Sequence, residues 1–279
     1  MEVSHEPVRI RKADGESVPF DASKLRESLE RSDAATHVID EIVREVQLLL
    51  VHGMSTRTIY REAFKRLRAH SRHSAGRYRL KRALFELGPS GYPFEHFVGK
   101  LMEHQGFQAE VSVVKPGRCV SHEMDVWARD EATLRIMECK FHSHAKRKSS
   151  IQTALYVQAR FQDLAANLTG SEAGLHPISY VVTNTRFTSE AVAYGQCAGM
   201  NLVSWNQPRK GNLKQWIDDS GFHPLTCLSG LSRAEKRSLL DQGIVLCSEL
   251  NTDLLQGASV PEKKHRKVLS ECNSIVEAR

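Results

Sequence analysis

The sequence predicts an α/β protein with three parts: a mainly helical N-terminal unit that carries a β-hairpin, a mixed-sheet core, and a small helical C-terminal piece. Two observations support this fold class. Between residues 107 and 205, apolar segments with strand periodicity alternate with segments of helical periodicity, the order of β-α-β units. The cluster Gly88-Pro89-Ser90-Gly91 separates this region from a largely helical one before it.

Composition places the chain among globular proteins. Its 279 residues correspond to about two domains, and 41% hydrophobic and 26% charged residues are ordinary values. No run approaches the roughly 20 apolar residues that cross a bilayer, and the first residues contain no apolar signal segment. We therefore expect a cytoplasmic protein with no membrane partner. Six single cysteines without a C-x-x-C pattern indicate reduced thiols and argue against a zinc ribbon.

The charge balance favours an acidic partner such as DNA. Thirty-nine Lys and Arg against 33 Asp and Glu give a formal net charge of +6. Residues 57–82 contain ten of these cations and one acid, Glu62. A solvated basic helix face explains that run equally well.

The N-terminal unit is predicted over residues 6–88. Asp14-Gly15 is typical of a hairpin turn between short strands at 8–12 and 17–20. Helices are predicted at 24–31, 36–51 and from Ser55 or Thr56, followed by a fourth at about 75–87.

The core is predicted over residues 92–208. An apolar helix face that ends at Gly106 precedes a strand at 107–113 and a hairpin at 123–140. A long amphipathic helix at 150–168, a strand at 178–183, a helix at 189–199 and a strand at 200–205 follow. This order predicts a mixed sheet with parallel pairs inside.

The C-terminal piece is predicted at 213–251, where regularly spaced leucines indicate two short helices. Within it, residues 226–244 resemble a degenerate helix-hairpin-helix. The polar, charged segment 256–279 is predicted to be a disordered tail.

The chemistry is concentrated in Asp125, Glu138 and Lys140. If Glu131-Ala132 forms the two-residue loop of the hairpin, Asp125 lies directly opposite Glu138, and Lys140 emerges on the same face. Two carboxylates that close repel each other unless a cation lies between them. Carboxylates are hard ligands suited to Mg²⁺, which activates water for phosphodiester hydrolysis. A structural salt bridge between Lys140 and one acid is the alternative reading.

Neighbouring residues add weight to the catalytic reading. Glu95, on the helix before the sheet, is a candidate third carboxylate, and Lys146-Arg147-Lys148 is a candidate contact to backbone phosphates. Gln158 and Arg160, on the following helix, either face this site or serve packing and surface pairing.

These residues resemble the PD-(D/E)XK nuclease core, especially the Mrr-like branch of restriction endonucleases, over residues 92–205. The pieces that carry the resemblance are residues 91–95, 122–126 and 138–142. The resemblance implies Asp125 and Glu138 as metal ligands, Lys140 as the catalytic lysine and Glu95 as an accessory acid. Met124 stands where the family often has proline. His122 and His142 flank the site, either as proton shuttles or phosphate contacts, or as structural neighbours.

The N-terminal unit resembles an ATP-cone, the nucleotide-sensing domain of ribonucleotide reductases. The resemblance rests on residues 8–15, 20–25 and 53–60. It implies ATP or dATP as an effector, with Lys12 and Lys24 near the phosphates or base, and with Asp21, Leu25 and Thr56 lining the pocket. Ala13 and Tyr60 depart from the commonest residues of that family. No G-x-x-x-x-G-K-[ST] motif occurs, so a P-loop ATPase is not predicted.

The sequence therefore predicts a restriction-type, Mg²⁺-dependent DNA endonuclease that is open to regulation by ATP or dATP. One alternative is a nucleotide-responsive DNA-binding regulator with an inactive nuclease core, and another is a nucleotidase. One active site per chain favours a homodimer for a double-strand cut.

Overall fold

The structure is a computed structural model that describes residues 7–12, 15–30, 32, 34–71, 74–75 and 78–276. It confirms the predicted α/β class with a mixed sheet. The predicted turn residues Ala13 and Asp14 lie outside the described residues. Among those described, no helix combines the length and apolarity needed to span a membrane.

The N-terminal unit packs a small hairpin against helices. Its elements are β1 (Arg9–Arg11), β2 (Ser17–Pro19), α1 (Ala22–Glu30), α2 (Thr36–Leu48) and α3 (Thr56–His70). The hairpin is antiparallel and pairs Ile10 with Val18. Ser55 caps α3 by accepting a hydrogen bond from the Thr58 amide at 3.1 Å, as its position before the apolar-periodic segment predicts. Leu29, Ile42 and other buried apolar residues form a separate core for this unit.

A five-stranded sheet forms the centre of the molecule. It is built from β3 (Gln108–Pro116), β4 (Ser121–Arg129), β5 (Thr133–Lys140), β7 (His176–Thr183) and β9 (Asn201–Val203), in the order β3-β4-β5-β7-β9. The first three strands are antiparallel, and β5, β7 and β9 are parallel. A second, two-stranded sheet pairs β6 (Lys148–Ser149) with β8 (Arg186–Phe187).

Helices cover both faces of this sheet, which parallel strands require. They are α4 (Leu80–Phe85), α5 (Tyr92–His104), α6 (Ile151–Ala165) and α7 (Ser189–Cys197). Val126 and Met137 belong to the same buried cluster as Phe97 of α5. Ile136, on the opposite face, clusters with Leu164 of α6.

The β4–β5 hairpin has the predicted register. Val126 lies opposite Met137, and Arg129 lies opposite Leu134, so Glu131 and Ala132 form the loop. Asp130 stabilises this loop because its Oδ1 accepts hydrogen bonds from the amides of Ala132 and Thr133 at 2.9 and 2.7 Å.

The C-terminal region differs from its prediction. It contains α8 (Leu213–Ser220), α9 (Arg233–Asp241), α10 (Thr252–Gly257) and α11 (Glu262–Val276). The tail predicted to be disordered from residue 256 is therefore helical as far as residue 276. Val268, Cys272 and Ile275 recur at helical spacing and are buried, so a narrow apolar stripe holds α11 in place. Residues 277–279 lie outside the described residues.

The boundary at Gly88 is not a boundary in packing. Leu80, Leu84 and Leu87 were predicted within the N-terminal unit, but they share a buried cluster with α5 and with the C-terminal helices. The Thr226 hydroxyl also donates to the Ala83 carbonyl at 2.7 Å. Helix α4 thus joins the sheet domain and the C-terminal helices into one core.

Candidate active site

Asp125 of β4 and Glu138 and Lys140 of β5 lie just beyond Val126 and Met137, the last paired residues of the hairpin. Glu138 and Lys140 alternate with the buried Met137 and Cys139, so both project toward the α6 side of the sheet. Lys140 Nζ lies 2.5 Å from Glu138 Oε1. Asp125 Oδ2 accepts a hydrogen bond from the Cys139 amide at 2.6 Å, which joins the aspartate to the strand that carries the other two residues.

Glu138 is the centre of the group. Its side chain is about 5% exposed, and it forms ion pairs with two cations, Lys140 and Arg160. Arg160 comes from α6, and its Nη1 donates to Glu138 Oε2 at 2.7 Å. The structure therefore places Arg160 at the site, although sequence alone left its orientation open. Gln158, on the same helix, is buried and its Oε1 has no hydrogen-bond partner among the described residues.

Burial and like charge act on Asp125. Its pKa is raised to about 7, first because burial penalises the charged form and then because Glu138 is negative. The Cys139 amide and Lys140 oppose this shift only in part. A divalent cation would relieve the remaining repulsion, so the carboxylates suit a hard cation.

Glu95 brings a third carboxylate to the edge of this group. It lies in the first turn of α5, and its Oε2 accepts from the Ser112 hydroxyl at 3.3 Å. Burial raises its pKa, and the charges of Glu138 and Glu123 raise it further. Ser112 has a φ of 54°. Its neighbours in β3 pair with Val126 and Met124, the two neighbours of Asp125 in β4. The left-handed backbone is thus a local distortion of the sheet beside the candidate site.

The structure contains no cluster of three or more His, Cys, Asp or Glu side chains that forms a complete metal site within the residues it describes. Mg²⁺ keeps several waters and uses one or two protein carboxylates, so it does not require such a cluster. The carboxylates of Asp125 and Glu138 have the chemistry that such an ion requires.

A polar clamp that the sequence did not reveal holds the chain after Lys140. Asn184 Oδ1 accepts from the His142 amide, and Asn184 Nδ2 donates to the His142 carbonyl, both at 2.9 Å. The Thr183 hydroxyl donates to the Lys140 carbonyl at 2.7 Å. The one available signal was the polar run 183–185, which directly follows an apolar strand.

The two flanking histidines are both engaged within the chain. His142 Nε2 lies 3.1 Å from the Ser149 hydroxyl, and burial together with Arg147 lowers the pKa of the imidazole. His122 Nε2 lies 2.8 Å from Asp163 Oδ2. The basic residues Lys146, Arg147 and Lys148 are exposed beside this region.

All five residues predicted to bind a nucleotide line one cavity of about 270 Å³ in the N-terminal unit. They are Lys12, Asp21, Lys24, Leu25 and Thr56. Phe20 and Tyr60 add aromatic surface to the same cavity. Asp21 accepts from the Ser23 hydroxyl and amide, which lowers its pKa. The basic segment 57–82 of this unit is partly neutralised, since Arg66 forms ion pairs with Glu45 and Glu62.

Comparisons with known proteins identify the two C-terminal parts of the chain. Residues 88–207 match the family model described as restriction endonuclease (Mrr_cat), and residues 223–276 match the one described as AF1548-like, C-terminal. Residues 88–207 are therefore similar to restriction endonucleases, hydrolases that act on phosphodiester bonds and generally use divalent metal ions. Both matches lie after the segment that resembles an ATP-cone, so that resemblance stays a prediction.

One other protein and two solved structures are similar to parts of this chain. An uncharacterised protein of Archaeoglobus fulgidus is 28% identical over 182 residues, which are 64% of this chain and 99% of that protein. The crystal structure of AF1548, a protein of unknown function, is 28% identical with a TM-score of 0.56 and covers 68% of this chain and 100% of that chain. Can2 from Sulfobacillus thermosulfidooxidans, in complex with cyclic tetra-adenylate, gives a TM-score of only 0.34 at 15% identity.

Proposed function

We propose that this protein is a Mg²⁺-dependent DNA endonuclease of the restriction type, with Asp125 and Glu138 as metal ligands. The convergence of these two acids with Lys140 is the observation that carries the proposal. The raised pKa of Asp125 supports it, because a cation would stabilise the charged form of this buried carboxylate beside the negative Glu138. The restriction endonuclease-like match over 88–207 supports the reaction class.

Each side chain has a distinct task in this scheme. Asp125 and Glu138 provide the carboxylates, and a bound divalent cation supplies Lewis-acid activation of water and phosphate. Lys140 binds a phosphate oxygen and offsets the negative charge that develops on it. Arg160 holds Glu138 from the α6 side, and Glu95 is an accessory acid at the rim of the site.

The charge distribution supports DNA as the substrate. The net charge is +6, and the exposed run Lys146-Arg147-Lys148 follows the strand that carries Glu138 and Lys140, where it is a candidate contact to backbone phosphates. A double-strand cut by a chain with one such site needs two copies, so we expect a homodimer on DNA.

Plasmid cleavage tests this proposal. Purified protein with Mg²⁺ should nick or linearise plasmid DNA, and Asp125→Ala and Glu138→Ala should each abolish the cut while the fold is retained. Lys263→Ala serves as a matched control, because it removes an exposed charge from α11, outside both proposed sites. No cleavage of any DNA, modified or unmodified and with or without ATP, would contradict the proposal. DNA binding without cleavage, unaltered by Asp125→Ala, would support the regulator with an inactive core instead.

A nucleotide effector is a second candidate function, supported by the shared cavity of Lys12, Asp21, Lys24, Leu25 and Thr56. Two lysines beside an aromatic and aliphatic wall suit a nucleoside triphosphate, since ammonium groups bind phosphate by charge-assisted hydrogen bonds. Calorimetric titration with ATP and dATP tests binding, and Lys24→Ala should weaken it. Equal heats for the wild type and this variant would remove the proposal without affecting the nuclease site.

A further inference from the structure

A second cavity lies beside the candidate active site, on the same side of the sheet. It is bounded by the tip of the β3–β4 hairpin and by α6, and has a volume of about 560 Å³. We call it the hairpin–helix cavity; its lining includes Arg118, Val120, His122, Tyr156, Arg160 and Asp163. Arg160 belongs to both places, because it lines the cavity and donates to Glu138. A ligand in the cavity is therefore separated from Glu138 and Lys140 only by the Arg160 side chain.

The cavity wall is held in place by one carboxylate. Asp163 accepts from the amides of Cys119 and Val120 at 2.8 and 3.2 Å, and it lies 2.8 Å from His122 Nε2. Gly117 permits this approach, since a Cβ there would lie 2.2 Å from Asp163 Oδ2. Asp163 is also the one acid among the described residues that line the cavity, and these bonds satisfy it. The remaining charges in the wall, Arg118 and Arg160, are positive.

Tyr156 gives the cavity an aromatic platform. Tyr156 is 59% exposed, so its ring is open to a ligand. The Arg160 guanidinium carbon lies 5.2 Å from the ring centroid, so a cation–π contact orients the ring. Val120, which is also exposed, adds apolar surface across the cavity.

We propose that the hairpin–helix cavity binds a nucleobase of the DNA substrate, stacked on Tyr156, next to the phosphate held at Lys140. This inference rests on the nuclease function proposed above and specifies how its substrate is held. A flat apolar ring attached to a phosphate matches an aromatic platform with arginines at its edge. A base inside a duplex cannot reach such a platform without leaving its stack, at a cost of about a few kcal/mol. The site therefore favours DNA with an unpaired nucleotide at this position.

Binding without metal separates this inference from the cleavage chemistry. Fluorescence anisotropy in EDTA compares a 20-base-pair duplex with the same duplex that carries one central unpaired base. Stacking on an aromatic side chain contributes about 1–3 kcal/mol per base. Tyr156→Ala should therefore weaken binding to the unpaired substrate by about 5- to 100-fold, and Tyr156→Phe should retain it. Leu155→Ala is the matched control, because it removes a large exposed side chain from the same helix outside the cavity lining.

The outcomes are distinct. Loss with Tyr156→Ala but not with Tyr156→Phe or Leu155→Ala supports the cavity, and a wild-type preference for the unpaired substrate supports it independently of any variant. Equal affinity of wild type and Tyr156→Ala for the unpaired substrate overturns it, as does equal wild-type affinity for the two substrates. If Tyr156 controls binding but no DNA is cut with Mg²⁺, the nuclease proposal fails and the base site stands. If DNA is cut and Tyr156 has no effect, only the base site fails.

Discussion

The amide of Asn184 provides a direct test of how the catalytic strand is positioned. This side chain is 1% exposed and binds both the amide and the carbonyl of His142, two residues beyond Lys140. Asn184→Ala removes both hydrogen bonds at once. Because the strand that carries Glu138 ends at Lys140, we expect the end of that strand to move.

The structure sets the size of the effect. Each lost hydrogen bond costs about 1 kcal/mol, and more when the backbone partner stays buried and unsatisfied. We therefore expect the free energy of unfolding to fall by about 2–4 kcal/mol. A displacement of about 1 Å at a catalytic group can cost about 100-fold in rate. Cleavage by Asn184→Ala should accordingly show kcat reduced by about 10- to 100-fold, with KM nearly unchanged.

Urea unfolding and steady-state cleavage of a labelled duplex measure the two effects. Asn212→Ala is the matched control, because Asn212 is also buried and bonds to the backbone of Gln215 and Pro208. It caps α8 away from the candidate site, so its loss should lower stability by about 1–2 kcal/mol and leave kcat unchanged. A wild-type kcat for Asn184→Ala would refute the positioning role. An equal loss of kcat in both variants would attribute the effect to general destabilisation.

Three further predictions concern single side chains. Lys140→Ala should lower kcat by about 100-fold or more and weaken DNA binding in EDTA only modestly, because Lys140 is one of several phosphate contacts. Undiminished cleavage would exclude Lys140 from the reaction. The Glu271 carboxylate accepts hydrogen bonds from the amides of Ser229 and Gly230. Glu271→Gln should lower the free energy of unfolding by about 1–3 kcal/mol, because an amide NH₂ would face a backbone N–H. Unchanged urea midpoints would contradict this. Burial lowers the pKa of Lys236 from 10.5 to about 8. Between pH 8 and pH 10.5 the unfolded chain therefore binds more protons than the folded chain. The free energy of unfolding should accordingly rise with pH across this range by up to about 3 kcal/mol. Lys236→Met should remove this rise, and parallel stability–pH curves for the two proteins would refute the assignment.

Local chemistry was sufficient to predict the hairpin at the centre of the site. The turn residues around Glu131 predict the register observed from Arg129–Leu134 to Val126–Met137. Asp125 and Glu138 are the next residues beyond the last of these pairs, and the Asp125 carboxylate accepts from the Cys139 amide. A slip of one residue would turn every side chain of β5 to the opposite face. The buried Ile136 and Met137 therefore enforce the observed register as strongly as the loop does.

The C-terminal region contains a backbone repeat that residue patterns in the sequence do not reveal. Its backbone repeats itself: Leu225 N donates to Val245 O, and Cys247 N donates to His223 O, both at 2.8 Å. Gly221 and Gly243 occupy equivalent left-handed positions before each 3₁₀ turn. The side chains of the two copies differ, so the backbone symmetry leaves little trace in composition or periodicity.

The parts of the site that sequence did not predict all depend on contacts across the sheet. Asn184 reaches His142 only because β7 runs parallel to β5 and ends beside it, so that the polar residues after each strand meet at one edge. Arg160 reaches Glu138 only because α6 crosses the face onto which Glu138 projects. The spacing of residues along one segment of the chain cannot predict either of these contacts. The acids at this centre are therefore visible in the sequence as a local pattern, whereas the groups that orient them become visible only when the sheet is assembled.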